Sequence, residues 1–195
     1  MKALCVEKLC KEYPSFRLHD VSFSVEEGRI VGLIGRNGAG KSTTMKGLLR
    51  FIRTDGGRVL FFGKDIARHE REIKEQIGYV AGGFSYYPLK KLRSIGKCAA
   101  RFYKGWNADA YKNYLRAFGL DEDKKPSELS DGMKVKYFIA LALSHGAKLL
   151  IMDEPTSGLD PLSREEFCDL ILKVVKEEGV SVLFSTHITS DLMRV

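Results

Sequence analysis

Long apolar runs are missing from this sequence: none approaches the ~18 residues that a membrane-crossing helix needs. No charged-then-apolar signal segment opens it either. The expectation is a protein of the cytosol. Cysteine is scarce, and the four present (Cys5, Cys10, Cys98 and Cys168) show no C-x-x-C spacing and sit among apolar neighbours. They read as reduced thiols, in the core or partly buried. His19, His69 and His145 form no ligand spacing with cysteine or acid and read as surface or turn residues. There is no internal repeat and no low-complexity tract. Acidic residues are the minority charge, 25 against 32 Lys and Arg, for a net charge of +7. A chain of 195 residues can bury one good core, so one domain is expected, with room for an inserted subdomain.

What the sequence does contain is Gly35-Arg36-Asn37-Gly38-Ala39-Gly40-Lys41-Ser42-Thr43, of the form G-x-x-x-x-G-K-[ST]. The apolar run Ile30-Val31-Gly32-Leu33-Ile34 feeds into it and reads as a buried strand; the segment from Thr43 to Leu49 leaves it as a helix. Strand, glycine-rich turn and helix start together make a phosphate cradle, because backbone N–H groups and the positive helix end point at one anion. In such a cradle Lys41 reaches the β- and γ-phosphates and the Ser42 hydroxyl ligates Mg²⁺.

A second apolar run, Leu149-Leu150-Ile151-Met152, ends in Asp153-Glu154. Carboxylates at the C-terminal end of a buried parallel strand sit where open α/β sheets bind ligands. Beside a phosphate loop, Asp153 is expected to hold Mg²⁺. Glu154 is then placed to polarise a water next to the γ-phosphate, as a general base.

Leu129-Ser130-Asp131-Gly132-Met133-Lys134 resembles the signature motif of the ABC ATPases, the nucleotide-binding subunits of ABC transporters, and falls shortly before the acidic strand as in that family. Asp153-Glu154-Pro155-Thr156-Ser157-Gly158-Leu159-Asp160 is similar to the family's second acidic motif and D-loop. Ser185-Thr186-His187, ending another apolar strand, looks like the switch histidine, and Tyr13 looks like the aromatic platform for adenine. The resemblance spans essentially the whole chain; Phe102 to Asp121 and the Asp131 variant further resemble the compact bacterial exporter subgroup. It implies an α/β fold: a P-loop NTPase core with a flanking antiparallel β-subdomain and an inserted helical subdomain. It also implies ATP and Mg²⁺ as cofactors. Nucleotide binding would fall to Tyr13, the loop from Gly35 to Thr43, Ser130, Gly132 and Asp160. Metal binding would fall to Ser42 and Asp153, and catalysis to Glu154 and His187. Taken alone, Tyr13 could stack on a base or be a turn tyrosine before Pro14. His187 alone could touch the γ-phosphate or be an ordinary strand-end histidine.

Ser130, the Gly132 N–H and the helix after them form a second anion site on the same chain. The resemblance implies that two subunits, a homodimer or a heterodimer, meet head to tail around ATP with two-fold symmetry. Asp131 departs from the glycine usual in the signature. The resemblance further implies a membrane-spanning transporter subunit as partner, at the cytoplasmic face of the membrane. A larger departure lies in Ala81-Gly82-Gly83-Phe84-Ser85-Tyr86-Tyr87-Pro88, where the family usually carries a glutamine that contacts Mg²⁺ and water. Hydrolysis would then be slower and differently gated, or Ser85 or solvent would substitute, or the Gly-Gly pair would serve as a hinge or simple turn.

The pattern divides the chain into a core of residues 1–85 and 146–195 and a helical subdomain of residues 86–145. Val21-Ser22-Phe23-Ser24-Val25 and Val59-Leu60-Phe61-Phe62 read as strands of the β-subdomain. Phe167, Leu170, Ile171, Val174 and Val175 predict a helix over Arg164 to Glu178. The last seven residues, from Thr189 to Val195, look like an unfinished helix where family members continue, so a truncated C-terminus is expected. Lys90, Lys91, Arg93, Lys97, Arg101 and Lys104 form a basic run without acids, with Phe102, Tyr103 and Trp106 among them. It could be a solvated helix face, a nucleic-acid patch, or a surface turned to the anionic membrane leaflet. The reading taken is an ATP-hydrolysing transporter subunit with no nucleic-acid partner. Its rivals are a soluble ABC ATPase acting on ribosomes or nucleic acid, and a nucleotide-gated regulator with little hydrolysis.

Overall fold

Alternating apolar residues make the first two strands. β1 (Lys2–Tyr13) and β2 (Phe16–Glu26) form an antiparallel hairpin whose tip pairs Tyr13 with Phe16. In this computed structural model, which describes residues 1–81 and 87–192, β1 also pairs antiparallel with β4 (Gly56–Phe61), and β5 (Lys64–Asp65) completes a sheet of order β2-β1-β4-β5. One face of this sheet buries Leu4, Val6, Leu9, Val25 and Phe61 with Met45 and Leu48 of α1 (Lys41–Leu48).

The second sheet is parallel throughout. It contains β3 (Ile30–Ile34), β6 (Ile77–Ala81), β7 (Leu149–Asp153) and β8 (Ser181–Thr186) in the order β3-β8-β7-β6. Helices and the first sheet cover both its faces, which is why β7 and β8 read as continuous apolar runs. Successive side chains go to opposite faces. Leu149, Ile151 and Leu183 join the core with α1, while Leu150, Met152, Val182 and Phe184 join the core with α5 (Asp131–Ser144) and α6 (Pro161–Glu178). α5 lies so close on β6 that a Cβ at Gly78 would stand 2.4 Å from the Ala142 Cβ and 2.7 Å from Leu150 Cδ2.

Between the strands lie α2 (Ile66–Lys74), capped by Asp65, then α3 (Leu92–Phe102) and α4 (Ala108–Ala117), capped by Asn107. Tyr111 and Tyr137 both donate to the Leu92 carbonyl, at 3.2 and 2.9 Å, and so fasten the start of α3 to α4 and α5. A last short helix, α7 (Thr189–Leu192), follows β8. Among the described residues no helix is long and apolar enough to cross a membrane.

Several local expectations need adjusting. α6 begins three residues before Arg164, because Asp160 caps it and Pro161 suits the first helical position. Gly179, at φ 67°, ends it. α5 starts at Asp131, not after Gly132, with Ser130 as its cap. His145 sits at the turn after α5 but is not a surface residue: it is 6% exposed, because its ring stacks on Tyr103 with centroids 3.8 Å apart. Cys98 is exposed on α3, not buried, while Cys168 is buried on α6. In the basic run Lys91 and Arg93 do have an acid, Asp123, at 2.8 and 3.0 Å. The Gly82-Gly83 departure, Ser85, and the final residues from Met193 lie outside the described residues.

Candidate active site

Register across the parallel sheet sets up the site. Leu33 pairs with Ser185, Ile34 with Thr186, and Asp153 with Ser185, so β3, β8 and β7 end level with one another. The glycine-rich loop leaves β3, Asp153-Glu154 leaves β7, and Thr186-His187 leaves β8, all at the C-terminal edge of the sheet. That edge is where ligands bind in open α/β folds.

The loop turns into α1 at Gly40, which has φ 93°. A Cβ there would stand 2.6 Å from Phe16 Cζ and 3.2 Å from Leu18 Cδ1, so both conformation and space require glycine. The α1 N-terminus therefore presents its first N–H groups, which have no acceptor within a helix, to the loop interior. Lys41, only 7% exposed, points back across the loop. Its Nζ donates to the Gly35 carbonyl at 2.5 Å and the Arg36 carbonyl at 3.1 Å, and pairs with Glu154 Oε1 at 2.9 Å. All three ammonium hydrogens are thereby used.

Glu154 is the centre of the arrangement. Its φ of 51° is a left-handed conformation that costs a non-glycine residue on the order of 1 kcal/mol. The conformation is held by three contacts: its N–H donates to Ser185 Oγ at 2.9 Å, Oε1 meets Lys41, and Oε2 meets His187 Nδ1 at 2.7 Å. Partial burial pushes the carboxyl upward, but hydrogen bonds from Lys41 and His187 outweigh it and leave the group below its ordinary value.

Asp153 Oδ1 accepts from Ser42 Oγ at 3.0 Å and from Ser185 Oγ at 2.7 Å. A hydroxyl and a carboxylate in contact are the hard oxygen donors that Mg²⁺ takes when phosphate and water complete its shell. Among the described residues no cluster of three His, Cys, Asp or Glu could hold a metal alone. The donor pair therefore fits Mg²⁺ arriving with a phosphate ligand.

Lys41, Ser42, Asp153, Glu154 and His187 are thus brought together. Ser130, Gly132 and Asp160 form a separate group, and among the described residues no hydrogen bond or ion pair joins the two. Ser130 Oγ caps α5 by accepting from Met133 N at 3.2 Å. Asp160 caps α6, accepting from Ser163 Oγ at 2.6 Å and from the N–H groups of Leu162 and Ser163 at 3.0 Å. The Ser163 hydroxyl first, then these N–H groups, hold its carboxyl below the usual range. The two helix starts adjoin, since a Cβ on Gly158 would lie 3.6 Å from Asp131 Oδ2. Asp131 itself pairs with Lys134 at 2.9 Å. Gly132 is not forced by its own chain: a Cβ there would meet only ordinary contacts, the nearest 3.7 Å away at Ser163.

Tyr13 is half exposed at the hairpin tip, with its ring 6.5 Å from that of Phe16 and tilted by 32°. Because Phe16 packs on Gly40, this tip sits against the phosphate loop. Phe16 and Ser185 are site residues that sequence reasoning passed over. Phe16 is one more apolar residue of a hairpin, and Ser185 gains its meaning only from lying opposite Asp153 in the sheet.

Comparison with known proteins agrees with this geometry. The family described as ABC transporter matches residues 18–157, from β2 through the glycine-rich loop and signature to the segment after Glu154. The bacitracin transport ATP-binding protein BcrA of Bacillus licheniformis is 35% identical over 187 residues, covering 94% of this chain and 61% of BcrA. The chain thus spans about three-fifths of the length of BcrA and of the ATP-binding protein YtrB of Bacillus subtilis, 61% of each. An ATP-binding subunit of an ABC transporter superposes with a TM-score of 0.84 at 33% identity, covering 98% of this chain and 82% of that one. CbiO1 of Clostridium perfringens, part of the ABC transporter complex cbiONQ, superposes at 0.79 with 28% identity, covering 96% of this chain and 79% of CbiO1. A family match that runs through the phosphate loop, the signature and the acidic strand, on a sheet that gathers their side chains at one edge, means that this chain belongs to the ABC transporter family as an ATP-binding domain.

Proposed function

We propose that the chain binds and hydrolyses ATP to power a separate membrane-spanning subunit. The observation that carries this reading is the contact set of Glu154 with Lys41 at 2.9 Å and His187 at 2.7 Å, beside the Ser42–Asp153 pair. The Glu154 carboxylate meets Lys41 where a γ-phosphate would. When ATP enters, phosphate oxygens take over Lys41 and the α1 N-terminus, and Glu154 is left with His187. The freed carboxylate accepts a proton from water as the water oxygen bonds to the γ-phosphorus. The bond to the bridging oxygen breaks and ADP keeps that electron pair. His187 orients Glu154 and the attacking water. Mg²⁺, held by Ser42 and Asp153, would offset phosphate charge when bound.

Ser130 and Gly132 act on the ATP of a second nucleotide-binding domain, identical or homologous, packed head to tail. The open space at Gly132 supports this, because glycine there is explained by close approach from outside the chain. Residues 86–145 act as the helical subdomain that meets the membrane partner. In support, a groove of 310 Å³ is lined by Tyr79, Tyr87, Phe102, Tyr103 and Phe138. Arg93, Lys97 and Arg101 form an exposed basic face on α3, suited to the cytoplasmic side of an anionic membrane. The membership of CbiO1 in a transporter complex and the transport function in BcrA's name support the same assignment.

Glu154→Gln tests it. The amide keeps the shape but cannot take the proton, so turnover should fall by ~10²–10⁴ while ATP still binds. Light scattering with MgATP should show the variant as a dimer. A variant that stays monomeric and fully active would remove both the base and the paired arrangement.

A further inference from the structure

Asp191, on α7, is 3% exposed and has no part in the chemistry above. Its Oδ2 accepts two hydroxyl hydrogen bonds, from Thr156 Oγ1 at 2.7 Å and Thr186 Oγ1 at 3.1 Å. Both threonines are fully buried, so neither faces a nucleotide. Thr156 lies two residues after Glu154, in a tight turn where Ser157 N donates to the Glu154 carbonyl at 3.1 Å and Leu159 N to that of Thr156 at 3.2 Å. Thr186 immediately precedes His187, and its Oγ1 accepts from Ile188 N at 3.0 Å. The Asp191 carbonyl also accepts from Cys168 Sγ of α6 at 3.7 Å. The buried Asp191 carboxylate thus ties the loop after β7 to the end of β8, next to His187 in sequence, and the Asp191 carbonyl adds a contact to α6.

We propose that Asp191 is a positioning residue that locks the glutamate loop to the histidine loop and so holds His187 against Glu154. A carboxylate suits this because both hydroxyls donate to the same oxygen, and an anionic oxygen accepts two charge-assisted bonds better than an amide oxygen does. Through Thr156 the lock also reaches the segment leading to Asp160. A displacement of that segment by a second domain is transmitted to the histidine as a shift of packed, hydrogen-bonded atoms.

The kinetic part of the test rests on the function proposed above; the spectroscopic part does not. In the nucleotide-free chain labelled with ¹⁵N-histidine, the His187 ring should show a hydrogen-bonded Nδ1, identified by its loss in His187→Ala. Asp191→Ala should abolish that signature and lower kcat about tenfold, as expected for the loss of one to two hydrogen bonds, with KM for ATP changed by less than about twofold. Asp191→Asn, which keeps an accepting oxygen in place, should restore the signature and part of the rate. If Asp191→Ala does not fold, Thr156→Val removes one donor without changing shape and should weaken the signature. An unchanged His187 signature in Asp191→Ala or Thr156→Val overturns the proposal. So does a parallel loss of stability and ATP affinity with the signature intact. A chain without any ATPase activity contradicts the function, while the histidine signal still decides the lock.

Discussion

At the scale of single residues, the proposed site is a set of contacts that ATP would rearrange. Lys41 is held by Glu154 at 2.9 Å, a pair that the proposed mode of nucleotide binding breaks. Glu154→Gln removes the anion that competes for the lysine. A partly solvated pair is worth ~1 kcal/mol, so ATP affinity of the variant should rise about fivefold by calorimetric titration. An unchanged or weaker affinity would mean that the pair does not oppose binding. The same contacts set a pH dependence. Because folding lowers the Glu154 pKa from its ordinary 4.5, its stabilising share is complete above that value and is lost as pH falls through the folded one. Chemical denaturation of wild type and Glu154→Gln should therefore converge as pH drops from 4.5 downward. A gap that widens instead would contradict the sign. Lys41, Asp153, Glu154 and His187 were legible from the sequence because each sits at a motif position next to a strand end. Ser185, which hydrogen bonds both Asp153 and Glu154, was not. A serine ending an apolar strand says nothing until pairing brings it beside the acids.

At the scale of elements, apolar patterning located β2, β3, β4, β7, β8 and α6, and misjudged where α6 begins. The expected start of α6 at Arg164 followed apolar spacing alone. The structure places it at Pro161, because the cap at Asp160 satisfies two N–H groups that the spacing cannot register. His145, expected as a surface or turn residue, does sit at the turn after α5, but its burial was not legible because the stacking partner Tyr103 is far off in sequence. The contact of α5 with β6 gives the sharpest test at this scale. With Ala142 Cβ 2.4 Å and Leu150 Cδ2 2.7 Å from an added Cβ, Gly78→Ala should destabilise the fold by ~1–3 kcal/mol, measured by urea unfolding. Asn107→Ala, which removes the α4 cap to Asp109 and Ala110, should cost about 1 kcal/mol. If Gly78→Ala were neutral, α5 would not press on β6 as described.

For the whole molecule, the pairing of an antiparallel sheet with a P-loop core was legible because the ordered motifs carry a family resemblance that implies it. The strand order was not. β3 and β7 are separated by β8, which comes last in sequence, and only this insertion places Ser185 and His187 between the phosphate loop and the acids. The order brings late chain and early chain to one edge, so the proposed nucleotide site draws on residues more than a hundred positions apart. The central claim is that this composite edge binds ATP through its phosphates, and the most direct measurement is a calorimetric titration of MgATP into wild type and Lys41→Ala. Charge-assisted contacts to phosphate are worth about 1.5–3 kcal/mol each, so the variant should bind at least about tenfold more weakly. Equal affinity in the two proteins would remove the phosphate loop, and with it the proposed site, from the binding of ATP.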